Sequence, residues 1–393
     1  MSYSRTIGML LVALVAIQPA AAQYQGTGSI TQGRGTVTIK DLFVCPKGRP
    51  TNLGTIRSQD DAVWNVPADV NFSTAAFPAS HDLHNACSGV MYANATEARA
   101  GLAGSNVVTV DADGEVLTAY VFADNYFEMY VNGIPVGKDN VPFTQFNSSA
   151  VRFRVRRPFT VAMLAVDWEE NLGLGSEAMG NSPYHPGDAG VVAVFMDEGG
   201  NIIATTSREW KAQTYYISPV QDLTCLSEQN GMRLSGPCST ADASDGSQFY
   251  GVHWARPSGW MNTDFDDAAW PLAKEYSNNL VGVDNKPAYT NFTEIFDAPL
   301  NDAAFIWTSN LVLDNEVLLR YRVPGPTSVG DSDDTAVEEP SIIRLYGVDG
   351  TEIAVAATKQ QLNAMLDELP SGCYLQVCRR HGIVETKHVL HVR

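Results

Sequence analysis

Short apolar runs separated by turn sequences dominate residues 105–323. Such runs predict β-strands, because strands are short and are commonly bounded by Gly, Asn and Asp. Three pairs of runs flank hairpin-type turns, at Asp113-Gly114, Asn132-Gly133 and Asp197–Asn201. Residues 150–155 and 159–166 supply further strand-like runs. A succession of short strands predicts an all-β body, an antiparallel β-sandwich or barrel, over residues 23–323.

The strand pattern stops at residues 324–340, which carry a Pro-Gly-Pro sequence, five acidic residues and almost no large apolar side chain. This composition predicts a solvated acidic linker. Residues 341–393 regain alternating apolar runs and predict a small C-terminal β-sandwich. Within it, four apolar residues at helical spacing indicate either one short helix or a bulged strand: Leu362, Met365, Leu366 and Leu369.

The first 22 residues have the features of a secretory signal peptide. Arg5 gives a positive start, an apolar stretch follows at residues 9–17, and Pro19–Ala22 supplies small residues for cleavage. No later window approaches the ~20 apolar residues that a transmembrane helix needs. We therefore expect a secreted or cell-surface protein without a transmembrane segment.

The charge of the chain excludes one class of partner. Its 26 Lys and Arg face 44 Asp and Glu, a net charge of −18. A field of that sign repels phosphate backbones, so we expect no nucleic-acid partner. The hydrophobic fraction of 45% is ordinary for a folded globular protein.

Six cysteines in an exported chain predict disulfides. Cys225 and Cys238 bracket a short polar loop, so a local bridge is expected there, and Cys45 with Cys87 is the next expected pair. Cys373 and Cys378 fall in one predicted strand, on opposite sides and roughly 16 Å apart at the rise of a strand, too far to bridge without bending it.

The C-terminal segment carries an Asp349-Gly350 turn, a Leu369–Tyr374 step (Leu-Pro-Ser-Gly-Cys-Tyr) into an apolar run, and a basic final run at Lys387–Leu390. It resembles the C-terminal sorting domain of the type IX secretion system, in which these features occur in the same order. The resemblance implies that the secretion machinery carries the protein across the outer membrane. An ordinary small β-module is the alternative, and the two cysteines depart from the family pattern.

A second set of segments resembles the galactose-binding-like β-sandwiches that accompany rhamnosidases and β-galactosidases. The matching segments are Asp124–Gly133, Thr206–Lys211, Trp260 with Asp264–Ala273, and Ile306–Thr308 with Leu319–Val323. In that family the last pair ordinarily precedes the strand matched by Asp124–Gly133, whereas here it follows. The order therefore looks circularly permuted, and the resemblance implies a jelly-roll fold.

The standard catalytic signatures are missing from the sequence. It contains no Gly-x-Ser-x-Gly, His-Glu-x-x-His, Walker loop or dinucleotide-binding turn. His81-Asp82-Leu83-His84 would place two imidazoles on one helical turn and so suit a transition metal, but its flanks are typical of a loop. We expect a loop there rather than a metal site.

The connection Asp167–Asp188 is the best candidate site, because it gathers carboxylates, an amide, aromatic rings and an imidazole between two strands. An aromatic ring stacks on a sugar face while Asp, Glu and Asn bind hydroxyls, and the same oxygens suit calcium. A structured loop with a buried Trp is the alternative. The candidate ligand-binding residues are Asp167, Trp168, Glu169, Asn171, Tyr184, His185 and, from a second aromatic group, Trp260.

These observations favour a carbohydrate-binding, lectin-like protein without catalysis, whose partner is a carbohydrate or surface glycan. No cofactor is expected, and calcium is a possible exception. One alternative is an extracellular glycoside hydrolase or lyase with carboxylates from the same loop, for which Glu169 or Asp264 are the candidates. Another is a structural or adhesive surface protein.

Overall fold

The computed structural model describes residues 24–46, 48–141, 146–298, 303–325, 342–346, 352–356, 369, 372–380 and 383–391. The predicted signal peptide lies outside them, as do nearly all of the predicted linker and residues 362–366 of the predicted helix. The chain divides into two compact units, Met1–Pro326 and Thr327–Arg393. No helix in the described ranges is both long and apolar enough to cross a membrane.

The described strands of the first unit are short at its start and longest in its centre. They are β1 (Ser29–Gln32), β2 (Thr36–Ile39), β3 (Leu53–Arg57), β4 (Val63–Val66), β5 (His81–Asn85), β6 (Val90–Met91), β7 (Val108–Thr109), β8 (Glu115–Asp124), β9 (Tyr126–Val131), β10 (Ile134–Lys138), β11 (Ser148–Val155), β12 (Phe159–Val166), β13 (Glu177–Met179), β14 (Ser182–His185), β15 (Gly190–Asp197), β16 (Ile202–Thr205), β17 (Lys211–Val220), β18 (Ser227–Gln229), β19 (Met232–Leu234), β20 (Tyr250–His253), β21 (Lys274–Tyr276), β22 (Phe305–Trp307) and β23 (Asp314–Val323).

The helices of this unit are brief. They are α1 (Ala95–Gly101), α2 (Asn278–Val281), α3 (Pro287–Thr290), α4 (Thr293–Phe296) and a 3₁₀ turn at Leu223–Cys225. Asn94 caps α1, because its side chain accepts a hydrogen bond from the backbone N–H of Glu97 at 2.9 Å.

Two large sheets organise the first unit. One has the order β1-β20-β17-β23-β12-β9-β10, and the other runs β21-β22-β15-β8-β11-β5-β6, with β16 added beside β15 and β7 beside β11. Their long strands pair antiparallel. The protein is therefore all-β with an antiparallel, sandwich-like architecture, as the strand pattern predicts.

Strand β12 is apolar at nearly every position, without the alternation of apolar and polar residues that a half-exposed strand shows. Its odd-numbered residues 161, 163 and 165 belong to a core that also contains Val121 of β8 and Val192 of β15, in the other large sheet. Its even-numbered residues 162, 164 and 166 belong to a second core, on the opposite face. Since both faces are covered, every residue of β12 is buried.

Two sequence predictions about local structure are wrong. The run before Asp113-Gly114 does not form a hairpin with β8, because β7 pairs in parallel with β11. A Cβ at Gly114 would lie 2.3 Å from the carbonyl carbon of Val155, so the glycine permits close packing on β11 rather than a hairpin turn. His81–His84 is not a loop, because it lies within strand β5, paired with β11.

The disulfides of the first unit follow the expected pairing. Cys45 bonds to Cys87 with the two Cα atoms 5.4 Å apart, and Cys225 bonds to Cys238 with the Cα atoms 5.0 Å apart.

The second unit contains β24 (Ile342–Tyr346), β25 (Glu352–Ala356), β26 (Gly372–Arg380) and β27 (Ile383–His391). They form one antiparallel sheet in the order β25-β24-β26-β27. Cys373 and Cys378 both lie in β26, the single strand that the sequence predicts for them. A second layer of the predicted small sandwich is not found among the described residues.

Candidate functional site

The connection between β12 and β15 is fixed where it begins. The backbone N–H of Asp167 donates to the carbonyl oxygen of Asn315 at 2.9 Å, and that of Trp168 donates to Oδ1 of Asn125 at 2.7 Å. Gly175 lets the chain turn, since its φ is +61° and a Cβ there would lie 2.2 Å from Nδ2 of Asn315. The side chains that follow Asp167 are therefore held in defined positions.

The two tryptophans proposed as sugar-stacking surfaces are not at the surface. Trp168 is completely buried and packs edge-on against Tyr126, with ring centroids 5.6 Å apart. Trp260 is 4% exposed and packs edge-on against Tyr130 at 5.4 Å. Neither ring presents a face to solvent, because both fill the second core on the outer face of the seven-stranded sheet.

Glu169 and Asn171 are also internal. Glu169 accepts hydrogen bonds from the backbone N–H of Gly173 and, at 3.4 Å, from the hydroxyl of Tyr216, while its Oε2 has no partner within the described part of the chain. Burial raises its pKa well above the ordinary value. Asn171 donates to the carbonyl oxygen of Pro183 at 2.7 Å, so its role here is to hold the loop closed.

Tyr184 and His185 are the two predicted residues that remain partly exposed. Nδ1 of His185 lies 2.7 Å from Oδ1 of Asp242, and the imidazole is 35% exposed. Tyr184 packs against a small cluster that includes Leu174 and Phe249. Both residues belong to β14, in which His185 lies opposite Glu177 of β13.

Four acidic side chains lie close to one another beside His185. Asp124 ends β8, Asp167 follows β12, Glu177 begins β13 and Asp188 precedes β15. We call these four residues the acidic crevice. Asp124 and Asp167 are 6% and 8% exposed, whereas the side chain of Glu177 is 19% exposed.

Negative charge within the crevice adds to the effect of burial on the pKa values of Asp124, Asp167 and Glu177. Burial is the largest cause for all four, and the pKa of Asp167 is raised further by the negative charges of Asp124, Glu177 and Asp188. Arg49 counters this effect at Glu177, with which it forms an ion pair. The crevice therefore gathers four buried or half-buried carboxyl groups whose pKa values are all raised.

The Asp167 carboxylate accepts no hydrogen bond from the described part of the chain. Asp124 accepts a hydrogen bond from Nδ2 of Asn125 at 2.7 Å, whereas the influences on the pKa of Asp167 are burial and charge without a hydrogen bond. A Cβ at Gly187 would lie 3.4 Å from both carboxylate oxygens of Asp167. A side chain at residue 187 would therefore contact those oxygens, which glycine does not.

A metal ion has little support in the described ranges, where no group of three or more Asp, Glu, His or Cys side chains is arranged to hold one. Calcium stays a prediction from sequence.

Buried carboxylates also predict how stability depends on pH. Burial raises the pKa of Asp139 to about 7, of Asp314 to about 6 and of Glu316 to about 7. In the unfolded chain these groups release their protons near pH 4. We expect the free energy of unfolding to fall as pH rises from about 4 to about 7, because the unfolded state ionises first.

His253 acts in the opposite direction. Burial lowers its pKa to about 3, so its contribution to stability is lost as pH falls from about 6.5. The three carboxylates outnumber it, so chemical denaturation should give a higher unfolding free energy at pH 5 than at pH 8. Asp139→Asn should flatten this slope, because the residue no longer titrates. A stability that rises between pH 5 and pH 8 would contradict the assignment.

Sequence reasoning missed Asp124 as a site residue. Asp124 is the first residue of the segment Asp124–Gly133, which resembles galactose-binding-like domains. Its position at the end of a long predicted strand could have identified it as a candidate site residue. Its proximity to Asp167 follows from the pairing of β9 with β12, which brings Tyr126 opposite Val166.

Comparison with known proteins found no matching family model, no matching curated protein and no matching solved structure. The structure by itself describes an all-β, sandwich-like protein with a cluster of buried acidic residues.

Proposed function

We propose that this is a secreted or cell-surface carbohydrate-binding protein without catalysis, and that the acidic crevice is its binding site. The observation that carries this proposal is the Asp167 carboxylate, which is 8% exposed, lies near other carboxylates and accepts no hydrogen bond from the described part of the chain. A buried carboxylate without a donor is costly, and a sugar hydroxyl supplies the missing hydrogen bond. In this proposal, hydrogen bonds from sugar hydroxyls to Asp167 take the place of the stacking on Trp168 and Trp260 that the sequence predicts.

The proposed location is supported by the two disulfides, since such bonds persist in oxidising compartments outside the cytoplasm. In this proposal the body is a permuted galactose-binding-like sandwich, and the C-terminal unit is a type IX sorting domain that engages the secretion machinery.

Replacing Asp167 tests the binding site. On a glycan array at physiological salt, we expect saturable binding by the chain without residues 1–22. Asp167→Asn should weaken it about 2- to 10-fold, because the amide offers one acceptor oxygen where the carboxyl group offers two, and a hydrogen bond contributes about 0.5–1.5 kcal/mol. Gly187→Ala should weaken it too, since the new methyl group would lie 3.4 Å from both oxygens, where a sugar hydroxyl would otherwise contact them.

Asp264→Asn is the matched control, because Asp264 is an exposed carboxylate outside the crevice. It should leave glycan binding unchanged. Repeating the array with a chelator tests for calcium. Absence of binding to every glycan, or equal loss in the Asp264 variant, would overturn the proposed function.

A glycoside hydrolase is the second candidate. The raised pKa values of Asp124 and Asp167 favour it, because a general acid must hold its proton near neutral pH. Release of reducing ends by the unmodified chain, lost in Asp167→Asn, would establish this candidate and contradict a purely binding role.

A further inference from the structure

A cavity lies at the opposite end of β8 and β15 from the acidic crevice. It has a volume of about 370 Å³, within the range of small-ligand pockets. Thr118, in its lining, and Asp124 are six positions apart on β8, so these two residues are roughly 20 Å apart along the strand. Its lining includes Arg99, Thr118, Tyr120, Arg152 and the turn 197–200, which we call the arginine pocket.

The register of three strands builds the floor of the arginine pocket. Thr118 of β8 lies directly opposite Arg152 of β11 on one side and Met196 of β15 on the other. These three side chains therefore form one row on the same face of the sheet. Tyr120 lies two residues further along β8, so its side chain lies on that same face.

The guanidinium group of Arg152 is held in place. Its Nη1 donates to the carbonyl oxygen of Leu102 at 3.1 Å and to Oγ of Ser105 at 3.2 Å, and the side chain is 14% exposed. Its Nη2 faces only a distant carboxylate oxygen, of Glu198, at 3.6 Å. Since the Glu198 side chain is 71% exposed, this pair is weak and open to replacement.

A second guanidinium group reaches the same cavity. Arg99 extends from the last turn of α1, and its Nη2 contacts the sulfur of Met196 at 3.8 Å, a weak acceptor. The positive charge of Arg99 also lowers the pKa of Tyr120 against the larger raising effect of burial. Two arginines therefore converge on one pocket in a chain of net charge −18.

The acidic residues of the turn compete little for these arginines. The Asp197 carboxylate is occupied within the turn, where the backbone N–H and the Nδ2 of Asn201 each donate to it at 2.8 Å. Glu198 is the remaining carboxylate of the pocket lining. A carboxylate from a ligand can therefore replace Glu198 beside Nη2 of Arg152.

We propose that the arginine pocket binds a small polyhydroxylated carboxylate, of the uronic acid class. Two guanidinium groups would hold the carboxylate, because their paired N–H donors match its two oxygens. The hydroxyl groups of Thr118 and Tyr120 would contact the sugar hydroxyls. This site is separate from the acidic crevice and does not depend on the function proposed there.

Calorimetric titration of the purified protein with D-glucuronate tests the pocket. We expect saturable binding, no binding of D-glucose, which lacks the carboxylate, and weaker binding of inorganic phosphate. Arg99→Gln and Arg152→Gln should each weaken glucuronate binding at least tenfold. Arg99 is exposed, so its variant tests the pocket even if loss of Arg152 disturbs the fold.

Glu198→Gln gives a test in the opposite direction. Removal of the competing carboxylate should strengthen glucuronate binding several-fold, a gain that misfolding cannot produce. Arg322→Gln is the matched control, because Arg322 is an exposed arginine of the other large sheet, and it should leave affinity unchanged. The proposal is overturned if glucuronate does not saturate, if glucose or phosphate binds as tightly, or if the three pocket variants match the unmodified protein.

Discussion

Trp168→Ala should destabilise the protein by about 3–5 kcal/mol, as expected when a large aromatic side chain is removed from a core. The ring is completely buried, packs against Tyr126 and belongs to the second core of the seven-stranded sheet. Urea denaturation followed by circular dichroism measures the loss. A fall in glycan binding by this variant would therefore report on folding and not on stacking against a sugar.

Trp168→Phe is the matched comparison. The indole Nε1 of Trp168 is buried without a partner among the described residues, so phenylalanine removes an unsatisfied donor while it keeps most of the ring. We expect this variant to lose much less stability than the alanine variant. If both variants were as stable as the unmodified protein, the ring would not be part of the core.

Arg320→Ala should also cost about 3–5 kcal/mol, because it removes a buried guanidinium group and leaves three acceptors without their donor. The Arg320 side chain is 3% exposed; its Nε donates to Oδ2 of Asp267 at 2.8 Å and its Nη2 to the carbonyl oxygen of Asn262 at 3.0 Å. It also donates to the carbonyl oxygen of Trp260. Alanine leaves all three acceptors without this donor.

Arg322→Ala provides the control on the same strand. Arg322 is exposed, so its replacement should change the free energy of unfolding by less than about 0.5 kcal/mol. Equal effects of the two substitutions would show that Arg320 does not hold the 260–267 segment against the sheet.

The parts of the fold that are predictable from sequence are those with local causes. Asn132-Gly133 forms the expected hairpin turn because both residues adopt positive φ, at 50° and 81°, which few other residues tolerate. The run at residues 159–166 is recognisable as a strand from its length and composition. Asp113-Gly114 has residue types that are common in hairpin turns, but it does not form one, because Gly114 packs closely on β11.

The candidate site was harder to predict because burial depends on distant partners. A tryptophan beside carboxylates has the composition of a sugar site, yet Trp168 is covered by a core assembled from strands far along the chain. Asp267 gives a second example. Aspartate is common in turns, but the contact of Asp267 with Arg320 depends on a strand some fifty positions later in the chain. The crevice forms only when the ends of β8 and β12 meet.

The position of β23 has a consequence for biosynthesis. This strand lies between β12 and β17 in the middle of the seven-stranded sheet, although it is the last strand of the first unit along the chain. Until it is inserted, two long inner strands present unpaired edges, which favour aggregation. A nascent chain that ends before residue 314 cannot complete the sheet, so maturation of this unit should await synthesis of nearly its whole length.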